Sequence, residues 1–196
     1  MAQPVALGDQ VAQVVGGGLD GQPEDPAARL RPDVRVEIVQ RSDCERPGGR
    51  RFGALVHAVL ASIDFDAGAD AIQASTAFNG RVFGATEEEI QAAIVSVGIA
   101  LGHPILRRAA ASTGKAGLRR ETPILLALDD GSLVEGVVDL AFREDAADFS
   151  GWTVVDFKTD REFAVSSACY LAQVRVYSEA VRVATDAAVR GIVLVF

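Results

Sequence analysis

The chain has 196 residues and a formal net charge of −8 at pH 7, with 49% hydrophobic and 23% charged residues. This balance excludes a wholly disordered chain, and the acidic total argues against a general nucleic-acid coat protein while allowing a local basic track. No apolar run reaches the roughly 18 residues of a membrane span and no secretory signal is visible, so we expect a cytoplasmic protein.

Residues 1–50 differ in composition from the rest of the chain. Three consecutive glycines at 16–18 and prolines at 23, 26 and 32 interrupt the segment. Such a composition is typical of a flexible leader or an inter-domain linker. Only the stretch from Val34 to Val39 alternates well enough for a short strand. We therefore expect a leader over 1–50 and a folded domain over 51–196.

Helical patterns follow from Arg51 onward. One buried stripe is marked by apolar residues at helical spacing, namely Val56, Val59, Leu60 and Ile63. The segment from Thr86 to Glu89 has the form of a capping box, which predicts a helix from there to about Leu101. A second short helix is predicted over 105–112.

The C-terminal half has strand patterns and one long helix. Three strands are predicted, over 122–128, 133–142 and 152–158, with turn residues between the first two. A helical pattern over 166–185 and an apolar strand over 190–196 follow. The order predicts an α/β fold in which a central mixed sheet of about four strands is flanked by helices.

The strand over 133–142 carries Asp139 within an apolar run. Side chains alternate between the two faces of a strand, which predicts one shared face for Val134, Val138, Leu140 and Phe142. Asp139 is expected on the opposite face. A carboxylate in such a strand is costly unless it is paired, hydrogen-bonded or bound to a cation.

The following strand adds a second carboxylate and a lysine. Asp156 and Lys158 lie two residues apart, so their side chains point to the same face, about 7 Å apart along the backbone. A structural ion pair would explain an isolated pair of this kind. Together with Asp139, the arrangement favours a hard-cation site with a charged helper.

These residues resemble the signature of the PD-(D/E)XK nuclease superfamily, with Gly136-Val137-Val138-Asp139 followed by Asp156-Phe157-Lys158. The order of elements over 53–196 is similar to the restriction-endonuclease-like core (αβββαβ) of that superfamily. More narrowly, the chain resembles the RecB-type nuclease domain at the C-terminus of AddA- and RecB-like helicase–nucleases. The segments that carry this narrower likeness are Arg51 to His57, Asp156 to Asp160, and Tyr170-x-x-Gln173-x-x-x-Tyr177.

The resemblance implies a metal-dependent DNA nuclease. His57, Asp139 and Asp156 would hold Mg²⁺ or Mn²⁺, and Lys158 would orient the attacking water or stabilise the transition state. The residues implied to position the substrate are Gln173, Tyr177 and Tyr170. The implied role is exonucleolytic processing of DNA ends in double-strand-break repair and recombination, with a UvrD/AddA-like helicase motor in cis or in trans.

The motif residues also have ordinary structural interpretations. A lone histidine such as His57 beside an apolar stripe is commonly a hydrogen-bonded core residue. Tyr170, Gln173 and Tyr177 share one helix face, which also fits the edge of an amphipathic helix. Glu121 lies near a position where family members often carry an acid, which suggests a group just outside the metal's own ligands.

Basic residues cluster in spite of the acidic total. Candidates for contact with a DNA backbone are Arg107, Arg108, Arg119 and Arg120. A solvated helix face with loop arginines is the alternative interpretation of these four residues.

Two kinds of cofactor site are absent from the sequence. There is no Walker A motif, so we expect no ATP site. Cys44 and Cys169 are too few for an iron–sulfur cluster with four cysteine ligands. Two alternative functions stay open: a non-catalytic DNA-binding module that keeps the nuclease fold, and a metal-dependent nuclease that acts on RNA.

Overall fold

The structure, a computed structural model, describes residues 13–15, 33–38, 47–112, 117–159 and 163–195. The strands in these ranges are β1 (Gln13–Val15), β2 (Asp33–Ile38), β3 (Leu118–Ala127), β4 (Leu133–Ala146), β5 (Phe149–Lys158) and β6 (Val189–Val195). The helices are α1 (Arg50–Ser62), α2 (Ala69–Phe83), α3 (Glu87–Gly102), α4 (Pro104–Ala111) and α5 (Phe163–Thr185).

A mixed sheet forms the centre of the fold. Its strands follow the order β1-β4-β5-β6-β2, and β3 also pairs with β4. The β3–β4 and β4–β5 pairs are antiparallel, whereas the β5–β6 and β6–β2 pairs are parallel. The predicted α/β class is confirmed. The sheet is larger than the predicted four strands because β1 and β2, from the segment predicted to be a leader, join it.

Two parts of the segment over 1–50 belong to the sheet. The predicted strand near Val34 is confirmed as β2, which pairs with β6 from Asp33↔Arg190 to Ile38↔Val195. β1 pairs with the start of β4. The rest of the predicted leader, including Cys44, lies outside the described residues.

The helices predicted at α1, α3, α4 and α5 are confirmed, whereas α2 was not predicted. The buried stripe of α2 consists of Ile72, Thr76 and Gly80. Threonine and glycine are weak helix formers, so this stripe gives little periodic signal in the sequence. Within the described ranges, no helix alone could cross a membrane by length and composition; α3 and α4 meet that test only together, across a 66° bend.

The predicted capping box begins α3. The Thr86 hydroxyl accepts a hydrogen bond from the Glu89 amide at 3.2 Å, and the Glu89 carboxylate accepts one from the Thr86 amide at 2.8 Å. The same carboxylate lies 2.9 Å from Nε of Arg51. Glu89 therefore both caps α3 and ties it to the first turn of α1, the helix that carries His57.

Buried apolar clusters lie on both sides of the sheet. Leu140 and Phe142 pack with α1, α3 and α4, whereas Val134 and Val138 pack with α5. The prediction that these four residues share one face is therefore wrong. The alternation of β4 shifts between Val138 and Leu140, and the residue between them is Asp139.

Arg120, on β3, closes the C-terminal end of α1. Its Nη1 donates hydrogen bonds to the carbonyl oxygens of Leu60, Ala61 and Ile63, the last at 2.5 Å. Its guanidinium also lies 3.8 Å from the ring centroid of Phe65. A positive charge at a helix C-terminus is favourable, so Arg120 fixes α1 against the sheet.

We expect Arg120→Ala to lower the free energy of unfolding by about 2–4 kcal/mol, because charge-assisted hydrogen bonds and a cation–π contact are lost together. Urea unfolding followed by circular dichroism measures the loss. Arg107→Ala removes an exposed arginine from α4 and is the matched control, with an expected change below about 0.5 kcal/mol. Equal losses of unfolding free energy in the two variants would contradict the conclusion that Arg120 fixes α1 against the sheet.

Candidate metal centre

A cleft of about 350 Å³ opens where α1, α5 and the central strands meet. The residues in its wall that carry charge or can bind a metal are His57, Glu121, Asp139, Asp156 and Lys158. The structure thus brings together the four residues that the sequence motif predicts for the reaction centre, and adds Glu121 to them.

The cleft forms because β4 and β5 separate at this point. Their antiparallel ladder runs from Ala146↔Phe149 to Leu140↔Val155. Beyond the last of these pairs, Oδ2 of Asp139 accepts a hydrogen bond from the Phe157 amide at 2.7 Å. A side chain thus replaces a ladder hydrogen bond, and the Asp139 carboxylate is held in the fork between the two strands.

Helix α1 places His57 beside this fork. A Cβ added at Gly53 would lie 3.1 Å from Oγ1 of Thr159, so the missing side chain lets α1 approach the end of β5. Nδ1 of His57 lies 3.5 Å from Oδ1 of Asp139. The imidazole meets the Phe157 ring edge-on, with 6.1 Å between the ring centroids.

Glu121 forms, with His57 and Asp139, a group of side chains that could hold a metal ion. One ligand atom from each residue lies within 4.8 Å of the other two. One imidazole nitrogen and two carboxylate oxygens can coordinate a divalent cation. Glu121, expected just outside the metal's own ligands, therefore lies closer to the candidate cation site than the sequence predicts.

Asp156 and Lys158 form an ion pair on the same cleft. Nζ of Lys158 lies 2.9 Å from Oδ2 of Asp156, whose side chain is 2% exposed. The ammonium also lies 4.7 Å from the ring centroid of Tyr170. A structural ion pair, the alternative explanation of this spacing, is therefore present, but both of its residues line the cleft. Asp160, the last residue of the predicted motif, lies outside the described residues.

The surroundings raise the pKa values of His57 and Asp156 and lower the pKa of Asp139. Burial lowers the pKa of His57, but the charge and hydrogen bond of Asp139 outweigh burial and raise it to about 8. Burial raises the pKa of Asp156 to about 6, against the attraction of Lys158. Burial also raises the pKa of Asp139, but His57, Lys158 and the Phe157 amide bring it below its usual value. Such divergent shifts are common at functional sites.

The ammonium of Lys158 is held in its charged form. Burial alone lowers its pKa, but the attraction of Asp156 and Asp139 is stronger, and the pKa ends above its usual value. The cleft thus contains a fixed positive charge next to two carboxylates.

Helix α5 forms another wall of the cleft. Nε2 of Gln173 donates a hydrogen bond to the hydroxyl of Tyr177 at 2.8 Å, and Gln173 lines the cleft. Tyr177 itself is fully buried against β4, where a Cβ added at Gly136 would lie 2.5 Å from its ring. The predicted trio is therefore divided: Gln173 lines the cleft, Tyr170 contacts Lys158, and Tyr177 supports Gln173 from the core.

The four arginines predicted to contact DNA have different surroundings. Nε of Arg108 lies 3.1 Å from the buried carboxylate of Glu144, and Arg120 is bound to the end of α1. Arg107 and Arg119 are exposed. None of the four belongs to the wall of the cleft in the described part of the chain. Their contact with DNA stays a prediction.

No family model matches the chain, and no curated protein matches it. The geometry defines an α/β protein with a candidate cation site at the fork between two central strands.

Proposed function

We propose that the chain is a metal-dependent DNA nuclease of the PD-(D/E)XK type, close to the RecB branch, that trims DNA ends in repair and recombination. The observation that carries the proposal is the meeting of His57, Asp139, Asp156 and Lys158 in one cleft. These residues come from α1, β4 and β5, up to about 100 positions apart in the sequence, and the motif requires them to converge.

The topology supports a restriction-endonuclease-like core. After the N-terminal helices, β3, β4 and β5 form an antiparallel meander, α5 crosses the sheet, and β6 returns parallel to β5. This is the αβββαβ order that the resemblance implies. The additional helices α2, α3 and α4 lie between the first helix and the meander, and two further strands extend the sheet at β4 and β6.

The residues of the cleft suit the hydrolysis of a phosphodiester. The resemblance implies that His57, Asp139 and Asp156 hold Mg²⁺ or Mn²⁺, and a divalent cation in this cleft would supply a more acidic bound water and neutralise phosphate charge. Lys158 offers a positive charge that is already in place before the transition state forms, which minimises reorganisation. Asp156 keeps Lys158 charged and directed into the cleft.

An aromatic side chain on the same cleft favours a nucleic acid as substrate. Phe83, at the end of α2, lines the cleft and is 36% exposed. An exposed aromatic ring beside a phosphate-binding centre can stack on a nucleobase, which is how proteins hold unpaired strands. The proposed partners are DNA and a helicase motor, either fused to this domain or separate.

The test is degradation of end-labelled linear DNA in Mg²⁺ or Mn²⁺, comparing the wild type with Asp156→Asn. We expect the variant to be at least about a hundredfold slower, because it loses a carboxylate of the site and the partner that keeps Lys158 charged. Asp148→Asn, an exposed residue in the β4–β5 turn, is the matched control and should retain full activity.

Parallel reactions with single-stranded DNA, duplex DNA and RNA separate the alternatives. Binding of DNA without cation-dependent cleavage would indicate a non-catalytic module. Faster cleavage of RNA would indicate a ribonuclease. Equal rates for the wild type and Asp156→Asn would contradict the proposed reaction centre.

A further inference from the structure

Glu121 and Asp139 face each other across β3 and β4. The neighbouring pairs Arg120↔Leu140 and Thr122↔Val138 place the two acids at the same level, but the ladder has no regular pair between them. Like charges directly opposite each other in an antiparallel pair repel. This repulsion is relieved if a positive charge lies between the two carboxylates.

The backbone holds Glu121 in an unusual conformation at this point. Its φ is 46°, in the left-handed region that residues other than glycine rarely adopt. Neighbours hold it there on both sides, since Arg120 is anchored to α1 and the Thr122 hydroxyl donates to the Arg120 carbonyl at 3.3 Å. The conformation brings the Glu121 carboxylate into the cleft beside His57.

Asp156 is less available to a cation than the motif implies. It is ion-paired with Lys158 and does not belong to the group formed by His57, Glu121 and Asp139. Its buried Oδ2 accepts no hydrogen bond of good geometry, although the ammonium is near. This oxygen lies in the wall of the same cleft, so an additional donor, such as a water on a bound cation, would complete its surroundings.

We propose that Glu121 is a direct ligand of the divalent cation in the DNA-free protein, together with His57 and Asp139. Asp156, in the wall of the same cleft, then serves mainly to hold Lys158. The choice of Mg²⁺ or Mn²⁺ as the cation rests on the proposed nuclease function. Three protein ligands leave sites on a six-coordinate cation for water and for phosphate oxygens.

The experiment measures Mn²⁺ binding to the full chain without DNA, from the electron paramagnetic resonance signal of free Mn²⁺. We expect Glu121→Gln to bind Mn²⁺ at least about tenfold more weakly than the wild type, and Asp156→Asn within about threefold of it. Glu135→Gln changes an exposed acid on β4 in the same way and should retain the wild-type affinity.

Thermal unfolding provides a second readout that is independent of activity. Without a cation, Glu121→Gln should unfold at the wild-type temperature or above it, because the repulsion from Asp139 is removed. Added Mn²⁺ should raise the unfolding temperature of the wild type more than that of Glu121→Gln. A folded variant with impaired Mn²⁺ binding identifies Glu121 as a ligand.

The outcomes separate this inference from the nuclease proposal. Wild-type affinity in Glu121→Gln, with weak binding in Asp156→Asn, would overturn the inference and leave the nuclease proposal standing. The expected affinities without DNA cleavage by the wild type would support Glu121 as a ligand and contradict the nuclease. A wild type that binds no Mn²⁺ would overturn both.

Discussion

Asp139→Asn is expected to slow DNA cleavage by at least about a thousandfold and to weaken Mn²⁺ binding more than any other single change at the site. Asp139 is the acid nearest to His57 and is also bonded to the backbone of β5. An asparagine oxygen can still accept the hydrogen bond from the Phe157 amide, so the fork between β4 and β5 should keep its shape. The loss then reports on the charge of the carboxylate.

The same variant should lower the pKa of His57. Asp139 raises that pKa to about 8 against the effect of burial, so without the carboxylate the pKa should fall below its usual value of 6.5. Titration of the ring protons by nuclear magnetic resonance measures this shift. His103, the other histidine, lies near Glu37 and not in the cleft, and its titration should be unchanged.

The stability of the cation-free protein follows from the same pKa. The pKa of His57 is raised in the folded state, so protonation of His57 stabilises the fold. This stabilisation is fully present below about pH 6.5 and is lost as the pH rises through 8. Asp139→Asn should remove this dependence. A cation competes with the proton on His57, so Mn²⁺ affinity in the wild type should increase over the same interval. A His57 pKa that stays near 8 in the variant would contradict this account.

The predictable part of the site depends on strand alternation and motif order. Asp156 and Lys158 occupy one face of β5, as their spacing predicts, with Val155 and Phe157 in the core on the other face. The part played by Glu121 was not predictable in this way. It depends on a backbone angle in the left-handed region and on the register between β3 and β4, which are consequences of tertiary structure.

The fold shows the same division between local and non-local information. The capping box at Thr86 correctly placed the start of α3, because its hydrogen bonds join residues three apart. Gly80 allows α2 to pack closely on α3, because a Cβ at this position would lie 2.5 Å from Ile90 of α3. From the sequence alone, this glycine only predicts a weaker helix. At Asp139, where β4 and β5 separate, the side chains of β4 change the side of the sheet on which they pack. Simple alternation along the strand does not predict this change.

Lys158→Ala is expected to slow cleavage by about a thousandfold while the affinity for Mn²⁺ stays within a few-fold of the wild type. The ammonium lies 2.9 Å from Asp156 and outside the group of His57, Glu121 and Asp139. Its loss therefore removes a charge that serves the transition state and leaves the cation ligands in place. Single-turnover cleavage and Mn²⁺ binding are measured on the same preparations.

The pH–rate profile distinguishes this role from a purely structural one. In the wild type, burial raises the pKa of Asp156 to about 6 and the attraction of Lys158 opposes a further rise. Without the ammonium that pKa should increase, so the acid limb of the residual activity should move to higher pH. Lys158→Arg retains the charge but not the compact ammonium, and should show a smaller rate loss with no such displacement. An unmoved acid limb in Lys158→Ala, or a loss of Mn²⁺ binding as large as that in Asp139→Asn, would show that Lys158 mainly supports the structure of the cleft.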